Sequence, residues 1–289
     1  MQHIDNAADV RLSDYCNLTD AAVLRDGFFI VEGVLALRQV LELASITSPA
    51  IHAMAEPAAP QAKYSIRSVL LTTNKAVGMA EEIDICMAQG ISIYTAPKQV
   101  LAEVAGFDVH RGVLASVCRP VQPELHSVLR TAQSLVLLEG VNDHENIGSI
   151  FRNAAALGID AVVLDARCSD PLYRRSVRVS LGHVLRMPWC RTEELSPTLH
   201  EIHQAGFCSI GLTPVADALA VDKAVHLGIL QRPFALLLGA EGSGLTTATL
   251  HACDHRVRIP MSYGTDSLNV ATSLAVVASF AAAENNWSS

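Results

Sequence analysis

The sequence predicts an α/β protein of two units, the second built on a mainly parallel sheet. Three observations carry that prediction. Short apolar runs rich in Val, Ile and Leu recur along the chain, separated by segments with the three-to-four-residue apolar spacing of helices. Runs in the second half, such as Leu135–Leu138 and Ala161–Leu164, are apolar throughout rather than alternating, as strands covered on both faces must be. Pro120 and Pro123 interrupt both patterns, and proline discourages continuous helix or sheet across a junction.

In order, residues 1–22 are polar and acidic and read as a loose lead-in. Residues 23–119 read as a small α/β unit. Phe28–Gly33 is a strand or a helix entry, and Val34–Leu43 has helical spacing. Residues 48–63 contain three prolines and form a loop. Strands follow at Ile66–Leu71 and Ile91–Tyr94, with a helix over Ala76–Gln89 between them. Pro97 suits the first position of a helix running through Lys98–Ala105, where its missing N–H is no loss, and His110–Val117 closes the unit. Residues 120–133 are a linker with a short helix at Glu124–Thr131, and 134–289 are the second unit. Its strands are Ser134–Gly140, Ala161–Asp165, Phe207–Leu212, Phe234–Leu238 and Arg256–Ile259, with helices between them.

Composition narrows the function. A 289-residue chain that is 50% hydrophobic is globular and long enough for two cores. No charge-free apolar run is long enough to span a bilayer, and the start lacks a basic region followed by an apolar core, so a cytoplasmic protein without a membrane partner is expected. The seven cysteines are scattered without a Cys-x-x-Cys, which suits reduced thiols. His200-Glu201-Ile202-His203 and His251-Ala252-Cys253-Asp254-His255 carry ligand-type side chains, yet neither has a second cluster at metal-site spacing, and no metal is expected. A net charge of −8 argues against nucleic acid until its distribution is seen. Residues 1–60 hold eight acids and three bases, whereas 171–191 hold Arg174, Arg175, Arg178, Arg186 and Arg191 and no acid. That run is a phosphate-contacting patch or a solvated helix face; both readings stand.

Three stretches carry chemistry. The first is Asn146-Ile147-Gly148-Ser149-Ile150-Phe151-Arg152-Asn153-Ala154-Ala155-Ala156-Leu157-Gly158. Helical spacing puts Ile147, Ile150, Ala154 and Leu157 on one face, against a sheet, and Arg152 roughly opposite. The second, Leu236–Leu245, ends a strand in Gly239-x-x-Gly242-x-Gly244, which lets backbone approach a ligand closely. It matches neither the dinucleotide glycine pattern nor a phosphate loop, so a nicotinamide enzyme or NTPase fits poorly. The third, Ile259–Ala271, passes from strand through a polar turn into an Ala/Val-rich helix that Ser267 or Asp266 is placed to cap.

Together, in this order and near the C-terminus, the three stretches resemble the SpoU/TrmH family of S-adenosylmethionine-dependent RNA ribose 2′-O-methyltransferases, a branch of the SPOUT class, over roughly residues 134–285. Phe29-Ile30-Val31-Glu32-Gly33 and His110-Arg111-Gly112-Val113 are similar to landmarks of the RNA-binding domain that precedes many of these catalytic domains, although Arg111 stands where the family usually has Gln. The resemblance implies a trefoil-knotted C-terminal domain, S-adenosylmethionine as cofactor, RNA (ribosomal or transfer) as substrate and a homodimer. It implies a catalytic position for Arg152, with Asn146, Glu241, Ser267 and Asn269 as its polar company. Leu238, Gly239, Gly244, Ile259, Met261 and Leu268 match the positions that hold the cofactor. Arg174, Arg175 and Arg178 are then candidates for RNA contact. A guanidinium is by chemistry a better phosphate clamp than a base, whereas the family mechanism treats this arginine as the proton acceptor, so both roles stay open. Asp143 is kept in the lead to the first motif, but His144 replaces the usual Pro. The extra N-terminal domain favours ribosomal over transfer RNA. The competing expectation is a catalytically silent RNA-binding or ribosome-assembly protein on the same fold.

Overall fold

The computed structural model describes residues 1–18, 27–45, 64–262 and 267–285. The chain divides into two compact units: Met1–Val121 with Leu172–Arg186, and Gln122–Pro171 with Met187–Ser289.

The first unit carries a mixed sheet of β1 (Gln2–His3), β2 (Phe28–Glu32), β3 (Ile66–Thr72), β4 (Ser92–Ala96) and β5 (Val113–Cys118), in spatial order β1-β4-β3-β5-β2. β4 pairs parallel with β1 and β3, while β5 runs antiparallel to β3 and β2. Its helices are α1 (Val34–Ser45), α2 (Thr73–Ala76), α3 (Ala80–Ala88) and α4 (Lys98–Ala105). Phe28–Glu32 is wholly buried strand, which decides between strand and helix entry there. The expected helix over 76–89 is broken instead into α2 and α3. Gly78 lies in the break, where its flexibility opposes helix. Pro97 is the N-cap of α4, one position earlier than expected.

The start of the chain is not loose. Gln2 and His3 pair with Tyr94 and Thr95 as an edge strand, and a 3-10 turn over Val10–Tyr15 buries Leu12 and Tyr15 completely. The Tyr15 hydroxyl finds Ser68 Oγ at 2.8 Å, as a buried phenol must find a partner. The loop expected over 48–63 lies outside the described residues.

The second unit is organised on a seven-stranded parallel sheet: β6 (Ser134–Glu139), β7 (Ala161–Asp165), β8 (Trp189–Thr192), β9 (Cys208–Leu212), β10 (Leu219–Ala220), β11 (Phe234–Gly239) and β12 (His255–Arg258), ordered β10-β12-β9-β11-β6-β7-β8. Central β6 and β11 run in register from Phe234↔Ser134 to Gly239↔Glu139. Helices α5 (Leu125–Leu129), α6 (His144–Ala156), α8 (Leu195–Gln204), α9 (Val221–His226), α10 (Thr247–Ala252) and α11 (Val270–Glu284) belong to this unit, and α7 (Arg174–Val179) to the first. Ile147, Ile150 and Ala154 of α6 are fully buried, as their spacing predicts, while Leu157 caps the helix and stays partly exposed.

Segment 172–186 completes the first unit. Arg174 Nη1 lies 3.4 Å and Arg178 Nη1 3.5 Å from the carboxylate of buried Glu32, and Arg174 stacks 3.8 Å above the Phe107 ring. Arg186 pairs with Glu42, and Gln39 Nε2 donates to Leu181 O at 2.9 Å. The acid missing from the arginine run is supplied by β2 and α1.

Candidate active site

The glycine turn follows β11, where the chain doubles back on itself. A Cβ at Gly239 would sit 2.0 Å from the Gly244 carbonyl carbon, so no other residue fits there without moving backbone. Gly244 N–H donates to Ala240 O at 2.9 Å, and Gly242 and Gly244 have φ of 86° and 66°, where a side chain is strained. The far end of the turn is tied to the sheet by Glu139, a carboxylate at the end of an otherwise apolar strand. Glu139 is 5% exposed and accepts from Thr246 N–H at 2.7 Å, Thr246 Oγ1 at 3.0 Å and Thr249 Oγ1 at 2.7 Å. A buried carboxylate needs such donors. These donors fix where the turn rejoins α10.

Two helix starts meet beside this turn. Asp143 caps α6, accepting from the backbone N–H of Glu145 and Asn146 at 2.8 Å each. The cap of α11 is Asn269, not Ser267; Asp266 lies outside the described residues. Asn269 Oδ1 accepts from Ala271 N–H at 3.0 Å and Thr272 N–H at 3.2 Å. Its Nδ2 donates in turn to Asn146 Oδ1 at 2.7 Å and Glu241 Oε1 at 2.8 Å. One asparagine thus starts a helix and joins all three sequence stretches. Asn153 Nδ2 adds a second tie between α6 and α11, donating to Ala271 O at 2.8 Å.

A pocket of about 470 Å³ opens at the carboxyl ends of β9, β11 and β12. That is where open parallel sheets expose free backbone groups to ligands. Leu238, Gly239, Gly244, Ile259, Met261 and Leu268, the six residues singled out for cofactor contact, all line it. Glu241, Ser267 and Asn269 also line it, with Thr213, Pro214 and Ser273, which the sequence reading passed over. The volume lies within the range of about 300–1,000 Å³ usual for small-molecule sites.

Arg152 stands apart from this node. It is exposed on α6, six residues beyond Asn146 and so about 9 Å further along the helix axis. Among the described residues no hydrogen bond or ion pair engages it. Asn146 and Glu241 meet at Asn269 rather than at Arg152. Arg174 and Arg178 are turned to Glu32, and Arg191 donates to the carbonyls of Asp165, Cys168 and Ser169 at 2.9–3.1 Å, bracing that loop. Arg175 is exposed. His203 lies 2.7 Å from Ser209 Oγ and 3.2 Å from Asp254, which ties β9 to the start of β12. Against partial desolvation, half-exposed Asp254 is held below the usual carboxylate range by the Ser209 N–H and hydroxyl and by His203.

Residues 133–279 match the SpoU rRNA methylase family, and residues 57–124 match the RNA 2′-O ribose methyltransferase substrate-binding family. An uncharacterized tRNA/rRNA methyltransferase of Mycobacterium tuberculosis strain H37Rv is 48% identical over 198 residues, 68% of each chain. A 23S rRNA (guanosine-2′-O-)-methyltransferase of Haemophilus influenzae is 31% identical over 192 residues, 65% of this chain and 76% of that one. Among solved structures, an AdoMet-bound rRNA methyltransferase from Sinorhizobium meliloti shares the fold, with a TM-score of 0.78 over 99% of this chain and 98% of the other at 19% identity.

Proposed function

The chain belongs to the SpoU rRNA methylase family, and on that premise we propose that it transfers a methyl group from S-adenosylmethionine to a ribose 2′-hydroxyl of structured RNA, ribosomal RNA in preference to transfer RNA. One observation carries the reading: Glu241, Ser267 and Asn269 line one pocket with all six candidate cofactor positions, and Asn269 is bonded to both Asn146 and Glu241. The pocket suits the cofactor. Gly239 leaves the close approach a ligand-cradling turn needs, Leu238, Val257, Ile259 and Leu268 offer apolar wall, and Glu241 offers a carboxylate to a cation.

Bound there, S-adenosylmethionine supplies an electrophilic methyl group. The chain's own work is positioning. Asn269 fixes the rotamers of Asn146 and Glu241, and the Asn146 Nδ2 group, which has no partner among the described residues, faces the task of holding the target nucleotide. Arg152 engages the target's phosphate or takes the proton of its 2′-hydroxyl. The pH profile separates these roles: a guanidinium base gives a rate that climbs with pH through the alkaline range, whereas a clamp does not.

We assign the working form as a homodimer assembled through α11 and α6. Supporting this, Val270, Leu274, Val277 and Ala281 are spent on their own unit, yet Phe280 remains 38% exposed on the same helix. Arg152, unengaged among the described residues, is then available to a partner's pocket. Mixing an Arg152→Ala chain with an Asn269→Ala chain restores activity if sites are shared, and a fully active monomer at high dilution overturns the dimer. No described helix is long and apolar enough to cross a membrane, and we place the enzyme in the cytoplasm.

The deciding experiment is transfer of radiolabelled methyl groups to RNA extracted from a strain lacking this chain, with the label mapped to the nucleotide. Label on a ribose 2′-oxygen supports the proposal. RNA that binds but takes no label sinks it in favour of a silent RNA-binding or ribosome-assembly protein.

A further inference from the structure

One concavity of the first unit gathers cations in an acidic chain. A groove of about 880 Å³ is formed where β3 and β4 end and where β2 leads into α1 and β5 begins. Arg38, Lys75, Lys98 and Arg111 line it together with His110, and among the described residues no Asp or Glu does. Three of these five are answered from outside the lining: Arg38 by Glu82, and Lys98 and His110 by Asp108. Lys75 and Arg111 are exposed and have no hydrogen bond or ion pair among the described residues.

The backbone is shaped to hold this groove. Gly33, with φ of 98°, lets Arg111 lie against it, since a Cβ there would approach Arg111 Cδ to 3.0 Å. Gly112, with φ of 64°, lets Thr72 close in, where a Cβ would meet its Oγ1 at 2.6 Å. Thr72 N–H donates to Gly112 O at 2.9 Å and Gly33 N–H to Val113 O at 3.0 Å, which locks the two glycine corners together. Between the cations the wall is apolar: Leu35 is 51% exposed, flanked by Val34 and Pro97.

We propose that this groove seats an unpaired stretch of the RNA substrate, with Arg111 and Lys75 on successive phosphates and a base against Leu35. This rests on the RNA-methylating function proposed above and adds where, and in what form, the RNA is gripped. Phosphates match two uncommitted cations on a concave face. An apolar wall adds something only for a base that is unstacked, because a continuous A-form duplex keeps its bases inside and offers mainly backbone and shallow groove.

The test uses the full chain carrying Arg111→Gln with Lys75→Gln. The control carries Arg130→Gln with Lys223→Gln, two exposed cations outside the groove. Binding of a labelled RNA hairpin with a ten-nucleotide loop, and of a loop-free duplex of equal length, is followed against salt. Two lost single-strand phosphate contacts lower the salt slope for the hairpin by about 1.4, and at physiological salt its affinity falls about tenfold or more. The duplex and the control chain change little. With RNA from a strain lacking this chain as methyl acceptor, KM rises while kcat and cofactor affinity hold. Unchanged hairpin binding, or equal losses in the control, overturns the proposal, and equal losses on the duplex overturn the unpaired-RNA assignment. Absence of methyl transfer by the unaltered chain is a separate result: it refutes the enzymatic function while leaving the groove's binding measurable.

Discussion

Replacing Asn269 in two ways separates its structural work from its chemical work. Its Oδ1 caps α11 and its Nδ2 donates to Asn146 and Glu241. Asn269→Ala removes everything. Loss of an N-cap costs about 1 kcal/mol, and each partly exposed donor bond about 0.5–1.5 kcal/mol. In a unit of this size about 2 kcal/mol corresponds to a fall in Tm of roughly 4–8 °C. Asn269→Asp keeps the cap, and a negative charge at a helix start is favourable by about 0.3–1 kcal/mol. It also sets two carboxylates face to face at the present 2.8 Å separation. In a water-like dielectric, apt for so exposed a pair, that repulsion is about 1.5 kcal/mol. With both donor bonds lost as in Asn269→Ala, it offsets the retained cap at low salt, and the cap reappears as the charges are screened. The two variants therefore lose similar stability at low salt and diverge at about 1 M salt, where Asn269→Asp recovers, while their activities fall together. Without the donor, Asn146 and Glu241 lose their fixed rotamers, and misplacement on the scale of an ångström costs about a hundredfold in rate. Thermal melts and methyl transfer to RNA from a strain lacking this chain measure both. Wild-type turnover in Asn269→Asp would refute the bridging role, and equal Tm losses in the two variants at about 1 M salt would refute the cap.

Arg152→Lys keeps the charge but loses the planar fork; methyl transfer falls nearly to background while cofactor affinity, read by calorimetry, is little changed, and retained turnover shows that another group handles the nucleotide. Burial pushes the thiols of Cys168, Cys190 and Cys253 up to about 12, whereas Cys16 is exposed, so a thiol reagent at pH 8 labels Cys16 early and those three only on unfolding; rapid native labelling of Cys190 contradicts the packing. Asp254 has a depressed folded-state pKa, so its contribution is present above the unfolded value near 3.8 and is lost as pH falls through the lower folded value. Asp254→Asn accordingly destabilises the chain at pH 7, and the gap from wild type narrows during acid titration; a gap constant down to pH 2 removes the assignment.

Where local pattern decides structure, the sequence was a sufficient guide. The apolar runs at 134–139, 161–165 and 234–239 have no plausible place except a doubly covered sheet, and they occupy its centre. The doubling-back after β11 was legible because the glycine spacing reports a backbone that must fold back on itself, whereas the six pocket-lining positions came from the resemblance rather than from spacing. Non-local pairings were not legible. The arginines of 174–186 look uncompensated in sequence because Glu32 and Glu42 lie more than 140 residues away. Strand β8 was missed because Trp189-Cys190-Arg191-Thr192 buries only half its length, at a sheet edge. Ser, Asp and Asn cap helices about equally well, so composition alone left the start of α11 undecided among neighbours. Glu139 left one faint trace, a carboxylate where an apolar strand should end.

The return of residues 172–186 to the first unit has a consequence for synthesis. Domains generally fold as units from the N-terminus while the ribosome is still at work. Here the last strand of that unit, β5, ends at Cys118, yet the arginines that neutralise buried Glu32 lie more than 50 residues further on. Until they emerge, the nascent unit holds a carboxylate it cannot bury and an uncovered flank on β2. The junction at Val121/Gln122 is therefore a boundary in space but not in time, and a gene cut there yields an N-terminal fragment lacking one of its own walls.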